Sequence, residues 1–152
     1  MEISKIALKK LKLNNIFWVI TNQNPFKSKP DFDLKTRIKL SKKILIKQKT
    51  ITINNLSKKL SSQNTYNMLS FLKRRNKKNE FFFLMGADNL INFHKWYNWK
   101  KIPKLAKIVV FSRPNFSTKA LNSVASKKLN KRDWIYINIT KLNISSSKLK
   151  KI

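Results

Sequence analysis

Apolar positions along this chain alternate between two spacings. Over residues 2–13, Ile3, Ile6, Ala7 and Leu11 share one side and lysines the other, the pattern of an amphipathic helix. Ile16-Phe17-Trp18-Val19-Ile20 is a short continuous apolar run and predicts a buried strand. Residues 22–33 are polar, contain Pro25 and Pro30, and read as a loop. Helical spacing returns from Leu34 to Ile46, with Leu34, Ile38 and Leu45 inward. Thr50-Ile51-Thr52-Ile53 is a β-branched strand. Residues 65–75 carry the helical stripe Met68, Leu69 and Leu72, and Phe81-Phe82-Phe83-Leu84 is the next buried strand. Short helical turns then run to Ile102. Ile108-Val109-Val110-Phe111 predicts a strand, residues 117–129 a helix, and Trp134-Ile135-Tyr136-Ile137 a strand. Ser145 or Ser146 is placed to cap a last short helix.

The order α-β-α-β-α-β-α-β-α-β-α predicts an α/β fold: a doubly wound, mostly parallel sheet with helices on both faces. The length fits one domain, residues 1–152, with no internal repeat and no linker. One feature departs from the doubly wound pattern. The chain opens with a helix that no strand precedes, and it has no Gly-rich phosphate loop.

Composition narrows the chemistry. Apolar residues make up 41 % of the chain, enough for a core. With no cysteine and a single histidine, disulfide frameworks and Cys- or His-rich metal sites are excluded. No apolar run approaches the roughly 18 residues of a membrane span, and the start lacks a secretory core, so the expected location is the cytoplasm. The formal net charge of +29 suggests a polyanion partner, yet only five of the 35 cations are arginine. Lysine, asparagine and isoleucine, all with AT-rich codons, fill 65 positions, and the lysines are dispersed along the chain. Genome composition and polyanion binding are therefore both open explanations of the charge.

The densest chemistry lies in Leu84–Trp99. It holds the only glycine, Gly86, the only histidine, His94, one of six acidic residues, Asp88, and two of the four tryptophans. A strand ending in Gly-Ala-Asp and followed by helix puts a carboxylate at the C-terminal edge of the sheet, where open α/β sheets bind ligands.

These residues resemble a known family. Gly86-Ala87-Asp88-Asn89-Leu90, then Phe93-His94-Lys95-Trp96 and Trp99-Lys100-Lys101-Ile102, resemble the bacterial nicotinate-nucleotide adenylyltransferases. Four further segments agree in order. Trp18-Val19-Ile20-Thr21 with Asn24-Pro25-Phe26-Lys27 resembles the family's second strand and Pro-x-Lys loop. Thr65-Tyr66-Asn67-Met68-Leu69 resembles its Thr-containing helix start. Val109-Val110-Phe111-Ser112-Arg113-Pro114 resembles its Arg-Pro strand end. Ile144-Ser145-Ser146-Ser147-Lys148-Leu149-Lys150 resembles its closing signature, with Ser147 for threonine and Lys150 for arginine.

The resemblance implies a Rossmann-like nucleotidyltransferase. It would transfer an adenylyl group from ATP, with Mg²⁺ on the phosphates, to nicotinate mononucleotide, in NAD biosynthesis. Asp88, following Gly86, would bind ribose hydroxyls or cap a helix. Trp96 would stack on the nicotinate ring or pack in the core, and Trp99 is assigned to the core. Tyr97 is either a ligand contact or an exposed aromatic. Thr65 would meet the nicotinate end or serve as an N-cap. Arg113 would pair with the mononucleotide phosphate, and Lys27 would face phosphate or solvent. Ser146, Ser147 and Lys150 would bind ATP phosphates at a helix N-terminus, and His94 is assigned a structural or minor role.

The family pattern opens with a strand and a Gly-x-Phe-x-Pro-x-His-x-x-His loop, whose histidines hold ATP phosphates. This chain opens where the following helix stands, so the expectation is an N-terminally truncated domain that lacks the first central strand. No catalytic residue and no protein-held metal are assigned. The expected partners are ATP and nicotinate mononucleotide, with no membrane. The alternatives are an adenylyltransferase acting on pantetheine phosphate, a basic RNA-binding domain, and an aggregation-prone remnant with exposed strand edges.

Overall fold

The computed structural model describes residues 1–21, 30–54, 56, 60 and 64–139. The chain divides into two compact units, Met1–Gln63 and Asn64–Ile152.

In the first unit, helix α1 (Glu2–Lys10) leads to strand β1 (Ile16–Val19), then helix α2 (Leu34–Leu45) and strand β2 (Ile51–Asn54). The two strands run parallel in the register Ile16↔Ile51 to Val19↔Asn54. Helix α1 turns Ser4 and Ala7 inward, and Ser4 Oγ accepts a hydrogen bond of 3.0 Å from Trp18 Nε1 on β1. Of the predicted face of α1, Ala7 is buried and Ile6 and Leu11 are half-buried, whereas Ile3 is exposed and the tryptophan's donor draws Ser4 inward. Strand β1 is not wholly buried either, since alternation turns Phe17 outward. Helix α2 starts at Asp33, whose Oδ1 accepts from the Thr36 amide at 2.8 Å. It buries Leu45 and leaves Leu40 and Ile44 exposed. Those two, with Arg37, Ser41 and the β1 end at Val19, Ile20 and Thr21, line an open groove of about 400 Å³.

In the second unit, helix α3 (Thr65–Arg75) precedes strand β3 (Phe82–Gly86) and helix α4 (Ala87–Asn92). Two 3-10 turns, Phe93–Lys95 and Trp99–Lys104, lead into strand β4 (Lys107–Phe111). Helices α5 (Ser117–Leu121) and α6 (Val124–Lys128), then a 3-10 turn at Lys131–Asp133, lead to strand β5 (Trp134–Ile137). The three strands are parallel in the order β3-β4-β5. The central strand β4 holds Ile108, Val109, Val110 and Phe111 at 0–1 % exposure, as a strand covered on both faces requires.

Phe83, Met85, Ile108, Val110, Trp134 and Tyr136 share one core with Leu69 of α3, Ala87 and Leu90 of α4, and Phe93 and Ile102 of the turns. The predicted stripe of α3, Met68, Leu69 and Leu72, is buried. The single helix predicted over 117–129 is two. Ser123 breaks it by capping α6 through the Ser126 amide at 3.2 Å, while Ser126 Oγ donates to the Leu121 carbonyl at 2.7 Å.

The expected parallel α/β architecture is present, in two sheets of two and three strands. Among the described residues, β1 pairs only with β2, and β3 only with β4 among the strands on its sides. The predicted last helix, with Ser145 and Ser146, lies outside the described residues.

Candidate active site

Strand β3 delivers its last residue, Gly86, as the N-cap of α4, so Asp88 falls in the first helical turn. There the unpaired N–H groups of the helix start favour a carboxylate. Asp88 is not the N-cap. Its Oδ2 instead accepts from Arg113 Nη1 at 2.6 Å, across 25 residues of sequence. The two side chains are 13 % and 29 % exposed respectively, so the ion pair is shielded from much of the solvent. Parallel pairing of β3 with β4, in the register Gly86↔Phe111, brings them together at the C-terminal ends of adjacent strands.

Each partner is fixed locally. Gly86 has φ −82° and ψ 158°, an extended conformation open to any residue, so its value here is space. A Cβ on Gly86 would come within 2.5 Å of Asp88 Oδ1. Arg113 leaves β4 in a tight turn closed by the Phe116 amide donating to the Arg113 carbonyl at 3.0 Å. Asn115 supplies the left-handed residue of that turn, with φ 67°, a role asparagine tolerates. The Arg113 guanidinium lies 5.7 Å from the Phe116 ring centroid. Just before it, Ser112 Oγ accepts from the Ile139 amide at 2.6 Å and ties the end of β4 to the chain leaving β5.

The aromatic residues separate into two groups. Phe93, fully buried, has the edges of Trp96 and Trp99 against it, with centroids at 5.3 Å and 5.9 Å. Trp96 also meets Phe83 at 6.1 Å, which ties it into the core of the second unit. Tyr97 is exposed and meets the edge of Tyr66 at 6.0 Å. Tyr66 follows Thr65, the first residue of α3. The N-cap there is Asn64, whose Oδ1 accepts from the Asn67 amide at 2.9 Å, and this removes Thr65 from the capping role open to it in the sequence. His94 sits in the turn after α4, with its Nδ1 buried and without a hydrogen-bond partner among the described residues.

Of the residues picked out from the sequence, the fold brings together Gly86, Asp88 and Arg113. Lys27, Ser146, Ser147 and Lys150 lie outside the described residues. Asn64, Asn115 and Phe116 lie outside the motifs read from the sequence, and Tyr66 and Ser112 stand in them without an assigned role. Asn115 carried a usable signal, an asparagine directly after proline at a strand end.

Residues 1–152 match the family model described as cytidylyltransferase-like. The chain belongs to the cytidylyltransferase-like family. Within it, a relative from Pelagibacter ubique (strain HTCC1062), named probable nicotinate-nucleotide adenylyltransferase, is 49 % identical over 152 residues. That match covers 100 % of this chain and 84 % of the relative. A protein of the same name from Bradyrhizobium sp. (strain BTAi1) is 31 % identical, over 97 % of this chain and 85 % of its own length. Among solved structures, Plasmodium falciparum nicotinic acid mononucleotide adenylyltransferase complexed with NaAD superposes with a TM-score of 0.68 at 21 % identity. It covers 99 % of this chain and 76 % of that one, and supports the shared fold. The ion pair at the ends of β3 and β4 thus belongs to a cytidylyltransferase-like domain whose named relatives are adenylyltransferases.

Proposed function

We propose that this chain is a nicotinate-nucleotide adenylyltransferase, joining ATP and nicotinate mononucleotide into nicotinate adenine dinucleotide with release of pyrophosphate. A phosphate oxygen of the mononucleotide attacks the α-phosphorus of ATP. A new P–O bond forms there as the bond to the bridging oxygen of the β-phosphate breaks, and pyrophosphate carries away the negative charge. The nucleophile is already an anion, so the protein's contribution is alignment and charge stabilisation, and no side-chain nucleophile is needed.

The observation that carries this reading is the Asp88–Arg113 pair. A Gly-Ala-Asp strand end and an Arg-Pro strand end, far apart in sequence, meet at the carboxyl edge of a parallel sheet. In this reading Asp88 accepts hydrogen bonds from ribose hydroxyls, and Thr65, Trp96 and Tyr97 border the nicotinate end. Lys27, Ser146, Ser147 and Lys150 are the cations and hydroxyls assigned to phosphates, and Arg113 is paired with Asp88. Among the described residues no three His, Cys, Asp or Glu side chains gather into a metal site. Magnesium would enter with ATP, on its phosphates, as part of the substrate. We place the reaction in the cytoplasm; separately, no helix among the described residues is long and apolar enough to cross a membrane.

The test supplies the chain with MgATP and nicotinate mononucleotide, and follows dinucleotide and pyrophosphate together. Both substrates are expected to bind, and product to form only when both are present. Pyrophosphate release indifferent to the mononucleotide, or binding of neither substrate, overturns the reading.

A further inference from the structure

Asp88 sits among 35 cationic residues, 30 of them lysines, yet its partner is one of only five arginines. That arginine is held at three points. Its backbone carbonyl closes the turn to Phe116 at 3.0 Å. Its guanidinium lies 5.7 Å from the Phe116 ring centroid, and its Nη1 is committed to Asp88 Oδ2 at 2.6 Å. On the other side of the same carboxylate, Oδ1 occupies space that opens only because residue 86 lacks a Cβ. Arg113, just past the end of β4, and Gly86, the last residue of β3, therefore converge on one carboxylate and bracket its two oxygens.

We propose that Arg113 is a positioning residue: it acts through Asp88, fixing the carboxylate for a sugar diol, and its contribution to binding does not come from a direct grip on phosphate. The proposal rests on the adenylyltransferase reading and changes the role that motif resemblance gives to Arg113. A planar guanidinium in a hydrogen-bonded turn holds a carboxylate in one orientation, which a flexible lysine does less well. An acceptor already oriented makes its hydrogen bonds to two vicinal hydroxyls without first being ordered. The +29 charge of the chain gives phosphates many other cations to meet.

A double-mutant cycle separates the two roles. Affinity for nicotinate adenine dinucleotide, which carries both sugars and both phosphates, is measured by calorimetry for wild type, Asp88→Asn, Arg113→Gln and the double variant. Thermal melts of each variant accompany the titrations. If Arg113 acts through Asp88, each single change weakens binding about tenfold, the worth of one charge-assisted hydrogen bond, and the double variant loses no more than either. Arg113→Lys, which keeps the charge but not the fork, recovers part of the loss and reports on any folding defect in Arg113→Gln. Losses that multiply to about a hundredfold in the double variant mean independent contacts, and overturn the proposal. A wild-type chain that does not bind the dinucleotide rejects the adenylyltransferase reading, and the proposal with it. Multiplying losses on a wild type that binds reject the proposal alone.

Discussion

At the scale of single residues, Gly86 makes the sharpest claim. Its backbone is extended, so alanine fits the main chain, but the added Cβ would come within 2.5 Å of Asp88 Oδ1. The carboxylate is the movable party and must rotate, which lengthens its 2.6 Å bond to Arg113. Gly86→Ala is therefore expected to shift the melting temperature little and to weaken dinucleotide binding about tenfold, as the loss of one charge-assisted hydrogen bond would. Calorimetry beside a thermal melt checks both halves, and unchanged binding would show that the orientation of Asp88 is not what matters. Little of this was visible in the sequence. Gly86, Asp88 and Arg113 were each picked out by motif, but their contact depends on β3 and β4 being neighbours in register, a non-local fact. The reason for the glycine is likewise spatial and leaves no trace in the residue string.

Elements were legible where local pattern and local chemistry agree. Helix α3 runs from Thr65 to Arg75 as its stripe predicts, because Met68, Leu69 and Leu72 make one continuous apolar face. Strand β5 is similarly clear. The pattern failed where side chains compete with the backbone, as at Ser123 and Ser126, which divide the helix expected over 117–129. On α1 it placed Ala7 correctly but missed Ser4, which a tertiary hydrogen bond from Trp18 draws inward. Caps give two predictions. Asn64→Ala removes the acceptor for the Asn67 amide and should cost about 1 kcal/mol in chemical denaturation.

The second concerns Asp33 at the start of α2. Hydrogen bonds from the Thr36 side chain and amide hold its carboxyl below the ordinary aspartate pKa. A depressed folded pKa means that the cap's stabilisation is full above the ordinary value and is lost as pH falls through the lowered one. Asp33→Asn keeps an acceptor that does not titrate in this range. The difference in stability between wild type and this variant should therefore shift in the variant's favour on acidification, read from denaturation at a series of pH values. A difference independent of pH would contradict this account of the cap.

For the whole molecule, burial and charge make separate predictions. Phe93 is fully buried at the centre of the second unit's core, with Trp96 and Trp99 against it. Phe93→Ala should cost about 3–5 kcal/mol and disturb both tryptophans, visible as a changed fluorescence spectrum. The net charge of +29 predicts attraction to any polyanion. If that charge is compositional, RNA affinity should be indifferent to sequence and fall by orders of magnitude between about 50 and about 200 mM salt. Tight, sequence-selective RNA binding at the higher salt would instead favour a nucleic-acid role.

The phosphate acceptor defines the reaction, and one titration identifies it directly. In the presence of a non-hydrolysable ATP analogue, the chain is titrated in parallel with nicotinate mononucleotide and with pantetheine phosphate. Saturable binding of nicotinate mononucleotide, at least about tenfold tighter than pantetheine phosphate and weakened by Asp88→Asn, is the predicted result. Preference for pantetheine phosphate, or binding of neither, would contradict it.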